Sequence, residues 1–365
     1  MRFPVLCLAL GLLISPVCAE PRPAPTPAPS FEKMFPKSLA QMNRIENPDV
    51  RALMKAAIKR SGVFDHPTLS PDGKTLIYQD FANTLGFTRG GDRVKALPIP
   101  PSKRDKDDLP IFPFSLAGAS FSPDGKLVVV TKWETSPRFI DEDRPVLFDA
   151  RTWKMVRLFP PHTNTIVSMA FSRDGRRLLV GDAGGAARIY DVASGKTLTK
   201  WHYKNYLKSV IVGWVQTDEG ETATALTALS WNGDARTSAK DAEASREEPA
   251  QLWNIEGDYE LTRFPLVLDA RDAAFSVDGS HIAIMEGGTS APRPNRIFIT
   301  RWADTSLSSS RVFPLKAVAF ISSLCWTPDG KTLLAFHVGI GVNDGKSVDG
   351  EWFRIFDTSP QTSRT

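Results

Sequence analysis

Cysteine is the first thing this chain has little of. Among 365 residues it occurs only at Cys7, Cys18 and Cys325. The first two fall in an N-terminal segment that reads as a leader, so no internal disulfide is available and stability must come from packing. Cys325 lies in an apolar stretch, Ser322-Ser-Leu-Cys-Trp326, and reads as a small buried hydrophobe rather than a nucleophile. Histidine is equally sparse: His66, His162, His202, His281 and His337 are scattered, with no pair at zinc-ligand spacing and no His-Glu-x-x-His. No Cys-x-x-Cys-His is present for a covalent haem. No Gly-x-Ser-x-Gly elbow occurs, since Gly118-Ala-Ser-Phe-Ser122 lacks the last glycine and runs along a strand into a turn. No glycine-rich phosphate loop precedes a helix, and Gly184-Gly185 belongs to a hairpin. No catalytic, cofactor or metal-ligating residue is therefore assigned. Charge of one sign is also lacking: 45 basic against 41 acidic residues leave +4, too little to argue for a nucleic-acid partner.

No apolar run reaches the ~20 residues of a membrane-spanning helix. The longest at the N-terminus is Val5 to Ile14, after the positive Arg2 and before Pro16 and the small-residue site Val17-Cys18-Ala19. This pattern predicts a signal peptide over residues 1–19 and an exported, periplasmic or secreted protein. An uncleaved anchor is disfavoured by the short run, and a lipoprotein by the branched Val17 before Cys18. Residues 20–30 alternate proline with small residues and read as an extended polyproline spacer. In the N-terminal segment 31–62, Asn47 can cap a helix, Pro48 suits its first position and Gly62 can end it. Val50, Leu53, Met54, Ala57 and Ile58 form one apolar stripe, expected to dock on the chain's own domain rather than on a membrane surface.

What is present in quantity is a repeat. Leu69-Ser-Pro-Asp-Gly73, Phe121-Ser-Pro-Asp-Gly125, Phe171-Ser-Arg-Asp-Gly175, Phe275-Ser-Val-Asp-Gly279 and Trp326-Thr-Pro-Asp-Gly330 share one signature. The chemistry is that of a tight turn: a hydroxyl for the backbone, proline to preset φ, aspartate, and glycine for positive φ at the exit. The aspartates at 72, 124, 174, 278 and 329 are separated by 52, 50, 104 and 51 residues, so one degenerate copy lies inside the long step. Trp231-Asn-Gly-Asp234 spells a turn but leads into a strand with nothing to bury. Thr217-Asp-Glu-Gly220 spells it less well but sits between two apolar runs, and burial decides in its favour. Residues 232–248 then become a long polar loop. Downstream of the turns an aromatic and a polar residue close a further strand, at Phe148-Asp149, Tyr190-Asp191, Trp253-Asn254 and Phe356-Asp357. Four-stranded antiparallel units of about 50 residues stack radially to bury both faces. The expected fold is all-β, a six-bladed β-propeller over residues 63–358 with seven blades as the alternative, one short N-terminal helix and a tail at 359–365.

The unit from His162 to Asp191 resembles a WD (tryptophan–aspartate) repeat: His162, the Arg173-Asp174-Gly175 turn, Gly181 and Tyr190-Asp191 fall at that family's positions. The resemblance covers residues 63–358 more weakly and is closest to divergent exported bacterial propellers. Tyrosine or phenylalanine mostly replaces the tryptophan. Gly184 stands where the family's structural aspartate would be, so the hydrogen-bonded network that stiffens eukaryotic repeats is not expected. The resemblance also implies closure of the last blade, which lacks an outer strand, by N-terminal residues 31–37 or 61–66.

The loops between second and third strands vary in length, and such loops on a rigid scaffold usually bind. Lys240, Asp241, Glu243, Arg246, Glu247 and Glu248 on the longest are the candidate binding residues. Asp105 to Asp108 and Asp141 to Asp143 read as solvated charge. Asp344, Asp349 and Glu351 could offer oxygen donors to Ca²⁺, but not at EF-hand spacing. The functional expectation is a non-catalytic platform, a monomeric propeller holding a protein or other macromolecule at its loop rim. The alternative is a propeller hydrolase, lactonase or oxidoreductase with a metal or cofactor at the central channel.

Overall fold

The computed structural model describes residues 42–61, 64–80, 85–89, 92–94, 118–131, 143–204, 208–229, 248–265, 267–268, 270–286, 296–304, 310–314, 320–338, 342–343, 346–347 and 353–357. The leader, the spacer and residues 31–37 lie outside this set. The described strands form six antiparallel blade sheets, each following the chain outward, and one two-stranded hairpin. The first holds β1 (Phe64–Leu69), β2 (Thr75–Asp80), β3 (Leu85–Arg89) and β4 (Asp92–Val94); the second β5 (Ala119–Phe121), β6 (Leu127–Val130), β7 (Val146–Asp149) and β8 (Met155–Leu158). The third holds β9 (Ile166–Phe171), β10 (Arg177–Asp182), β11 (Ala186–Asp191) and β12 (Thr197–His202); the fourth β13 (Lys208–Thr217), β14 (Gly220–Leu229), β15 (Ala250–Asn254) and β16 (Tyr259–Phe264). The fifth holds β17 (Ala270–Phe275), β18 (His281–Glu286), β19 (Arg296–Arg301) and β20 (Arg311–Pro314). In the sixth, β21 (Phe320–Trp326) and β22 (Thr332–Val338) pair in turn with β25 (Phe353–Asp357), after a small hairpin of β23 (Val342–Asn343) and β24 (Lys346–Ser347). First strands of successive sheets touch, and β21 touches β1, so the six close into a ring. This is the expected six-bladed β-propeller.

Period-two alternation in each second strand explains why the sheets stack. Val128 and Val130 pack toward blade 1 while Val129 packs toward blade 3. Leu178 and Val180 face blade 2 while Leu179 faces blade 4, and Ile282 and Ile284 face blade 4 while Ala283 and Met285 face blade 6. A strand buried on both faces must be apolar throughout, which is why these runs show no polar alternation. Gly181 interrupts β10 because a Cβ there would lie 2.4 Å from the Val210 carbonyl of the next blade.

The five signature turns are one structure repeated. Each Ser or Thr hydroxyl donates to the Asp carboxylate at 2.5–2.7 Å. Each hydroxyl oxygen also accepts a backbone N–H five residues on at 2.8–3.1 Å, and each glycine adopts φ of 65–71°. Blade 4 takes the register chosen by burial, pairing Thr217 with Gly220 through two ten-residue strands.

The helix α1 (Pro48–Ser61) forms as expected, with Asn47 Oδ1 accepting the Asp49 and Val50 N–H groups at 3.0 and 3.1 Å. Its stripe docks on the chain itself: Val50, Leu53, Met54 and Ala57, with Met42 and Ile45 just before the helix, pack with Leu76 and Tyr78 of blade 1 and Leu334 and Phe336 of blade 6, while the Ile58 side chain lies outside the described set. This corrects the expected closure through residues 61–66. Phe64 and Asp65 pair inside blade 1 with Asp80 and Gln79, so that segment is the ring's first strand, and a helix fills the seam.

Candidate functional site

Two regions could carry function: the central channel and the loop rim. The first strands enclose a channel of about 520 Å³. Its polar groups largely hold the ring together. Thr68 Oγ1 donates to the Ala119 carbonyl at 3.2 Å, and Ser168 Oγ accepts the Val212 N–H at 2.8 Å. Asp272 Oδ2 accepts the Leu324 N–H at 2.9 Å, while the Trp214 and Trp326 indoles donate to the Ala170 and Ala274 carbonyls at 3.1 and 3.0 Å. Cys325 also lines the channel, and desolvation pushes its thiol up to about 12, which keeps it unreactive near neutrality. Among the described residues no group of three His, Cys, Asp or Glu side chains could hold a metal ion.

The signature turns surround one mouth of the channel, where Pro71, Pro123, Val277 and Pro328 form an apolar collar. Arg173 replaces proline in blade 3 and spans blade 4. Its backbone N–H donates to Glu221 Oε1 at 2.8 Å, and its guanidinium reaches Gln216 Oε1 at 3.3 Å and the blade 5 Asp278 carbonyl at 2.9 Å. Sequence reasoning did not single out this residue, although its departure from proline was visible.

The other rim carries the long loops. Lys240, Asp241, Glu243, Arg246 and Glu247 lie outside the described residues. Glu248 is described and exposed, and its charge acts on Tyr203 and Arg263. Glu248 is thus within electrostatic reach of an aromatic group: the rings of Trp201, Tyr203 and Trp253 have centroids 5.8–6.2 Å apart. Tyr203 Oη and Trp253 Nε1 both donate to Gln251 Oε1, at 2.9 and 3.0 Å, and Trp201 Nε1 donates to Asp258 Oδ1 at 2.7 Å. Arg263 forks onto Glu260 beside them, with Nε and Nη2 at 2.9 and 2.8 Å. Burial raises the Tyr203 phenol, so it stays protonated and donates. Trp253 was visible only as a strand-closing residue, and the grouping was not identified from sequence, because nothing local to Tyr203 places it against Trp253, fifty residues away.

His162 is a core residue, as the repeat reading held, but the network around it corrects the sequence expectation. His162 Nδ1 lies 2.9 Å from Asp182 Oδ2, and Nε2 lies 3.1 Å from the Tyr190 hydroxyl. The Gly184 and Ala186 N–H groups donate to Asp182 Oδ1, each at 3.0 Å. Asp182, two residues before Gly184, supplies the carboxylate. A carboxylate only accepts, so Nδ1 carries the hydrogen and Nε2 receives the Tyr190 O–H. Asp143 is likewise buried rather than solvated: its carboxylate accepts the Ile166 N–H at 2.9 Å and its carbonyl the His162 N–H at 2.8 Å. Asp105 to Asp108, Asp141, Asp344, Asp349 and Glu351 lie outside the described residues.

A family model for the WD40 domain of anaphase-promoting complex subunit 4 matches residues 138–232. No curated protein matches in sequence. Among solved structures, the fold is shared with Kuenenia stuttgartiensis hydrazine synthase at a TM-score of 0.51 and 14% identity, over 74% of this chain and 72% of that one.

Proposed function

Because the chain is a β-propeller whose residues 138–232 match a WD40 model, we propose that it is a non-catalytic, exported platform that binds a protein partner through its loop rim at blades 3 and 4. The observation that carries this is the aromatic group of Trp201, Tyr203 and Trp253 at the foot of the longest loop, beside Glu248, Glu260 and Arg263. Tyr203 and Trp253 are half-buried over a buried Trp201, and partly accessible tyrosine and tryptophan with flanking charge are the composition of protein contact sites. Export rests on the leader pattern, and no described helix is long and apolar enough to cross a membrane.

The test is crosslinking in the envelope fraction, comparing the full chain with Tyr203→Ser and with a version in which a short Gly-Ser link replaces residues 232–247. The expected result is one captured protein lost in both variants while both still melt cooperatively as folded proteins. A partner kept by both, or a stoichiometric metal in the purified protein, would overturn the reading.

A further inference from the structure

The outermost strand of a blade presents a row of unpaired N–H and C=O groups, and proteins blunt such edges with lysine, proline or other charge. Three of the outer strands here do so. β12 exposes Lys200 and His202, β16 carries the Glu260–Arg263 pair, and β20 runs from Arg311 to an exposed Pro314. β8 of blade 2 does not. Its Met155, Val156 and Leu158 are 49%, 49% and 44% exposed, three of the seven large apolar side chains exposed among the described residues. Its one charged member, Arg157, is turned onto blade 3, where Nη1 and Nη2 donate to the Ser194 and Ala193 carbonyls at 3.0 and 2.6 Å. The bulge at Val156 does not set β8 apart, since β12 and β16 are bulged at the matching place.

The backbone of this edge is open as well. The Phe159 N–H bonds to the Pro145 carbonyl at 3.1 Å, so the alternation of an antiparallel pair turns the N–H and C=O of Leu158 away from β7. β8 ends its sheet, and no described strand pairs with it on the far side. The charge around it is of one sign. Arg151, Lys154, Lys196 and Lys200 are exposed, and Lys154 and Lys200 make no ion pair among the described residues. The carboxylates of the two neighbouring turns are committed locally. Asp149 Oδ1 accepts the Arg151 and Thr152 N–H groups at 3.1 and 2.7 Å, and Asp191 Oδ1 accepts the Ser194 N–H at 2.6 Å.

We propose that β8 is a docking edge for an extended peptide of a partner protein, with acidic and apolar side chains in alternation, which joins blade 2 as a fifth strand. Main-chain bonds to Leu158 hold it, its apolar side chains cover Met155, Val156 and Leu158, and its carboxylates meet the exposed cations. Two other occupants fit less well. A lipid surface leaves the Leu158 N–H and C=O without partners in hydrocarbon. A second copy would bring two sets of these cations together, and a four-residue edge falls short of the ~1,200 Å² that stable interfaces bury.

The experiment is fluorescence polarisation of three labelled octapeptides with the full chain: alternating glutamate and valine, alternating lysine and valine, and alternating glutamate and proline, which cannot pair as a strand. Only the glutamate–valine peptide should bind, one to one and more weakly as salt rises. Leu158→Pro removes the outward N–H at an edge position that accommodates proline, so it should fold and weaken binding about tenfold. Lys154→Glu reverses an exposed charge before the strand and should weaken binding several-fold. Both variants should still melt cooperatively. No binding, equal binding of either control peptide, or full affinity in either variant would overturn the proposal. A dimer in sedimentation, or retention on phosphatidylglycerol vesicles, that Leu158→Pro abolishes would also overturn it, by assigning the edge to another occupant. None of these outcomes depends on partner capture at the aromatic group of blades 3 and 4.

Discussion

The His162–Asp182–Tyr190 network turns a surface-independent property into a pH dependence. Burial holds the imidazole below its ordinary value of 6.5, outweighing the pull of Asp182 in the other direction. The unfolded chain, titrating near 6.5, therefore binds the proton more readily than the folded one. Stability is complete above that pH and declines as pH falls from there toward the folded value, below which the loss levels off. His281, lowered first by desolvation, adds a term of the same sign. A separate loss follows in stronger acid. Burial alone would raise Asp278, but hydrogen bonds from Ser276 and Ser280 bring it to about 2, so its contribution disappears below the ordinary 3.8. His162→Ala should destabilise by about 3 kcal/mol, since it leaves a fully buried carboxylate short of a donor. Urea melts of both proteins between pH 7 and pH 5 check the claim. The variant must lose less stability than wild type over that interval, and equal slopes would refute the assignment.

At the scale of elements, the repeat was legible because each turn spells out its own hydrogen bonds. A serine or threonine hydroxyl, aspartate and glycine at fixed spacing bond in the same pattern five times. The degenerate blade was legible by a different route: Val210, Val212, Ala223 and Ala225 demand a buried hairpin whatever the turn spells. What could not be read were pairings fixed by stacking between blades. The Asp182 network was missed because the family resemblance placed the carboxylate at position 184, while the side chain two residues earlier reaches the same imidazole. Helix α1 was legible, but its seat against Leu334 and Phe336 depends on where a ring of six closes. The Arg173 bridge is of the same kind, and it yields a prediction against the consensus. Proline stands at the equivalent position in three blades, yet Arg173→Pro should be the more damaging substitution. It removes the backbone N–H held by Glu221 as well as the guanidinium contacts, whereas Arg173→Ala removes only the latter. The alanine variant should lose about 1 kcal/mol and the proline variant more. Thermal melts rank the two, and a proline variant as stable as wild type would show that Arg173 is incidental.

For the whole molecule, a closed ring has as many interfaces as blades, and its weakest one decides how it opens. Five junctions here bury one sheet directly on the next. The sixth, between blades 6 and 1, holds α1, tied to β1 across residues 62–63, so the seam combines a helix packed on two sheets with an unbonded Ser323 at its inner edge. Blade 6 also has three paired strands among the described residues where the other five have four. Leu53 is 3% exposed in the middle of the wedge. Leu53→Ala should cost about 2–5 kcal/mol through the cavity it leaves, and the cost should not spread evenly. Native-state hydrogen exchange ought to show β1, β2 and β22 losing protection at sub-global free energies, while β10 and β14, on the far side of the ring, exchange only through complete unfolding. Uniform loss of protection in all six blades would mean that the ring opens as one unit and that the helix is packing rather than a latch.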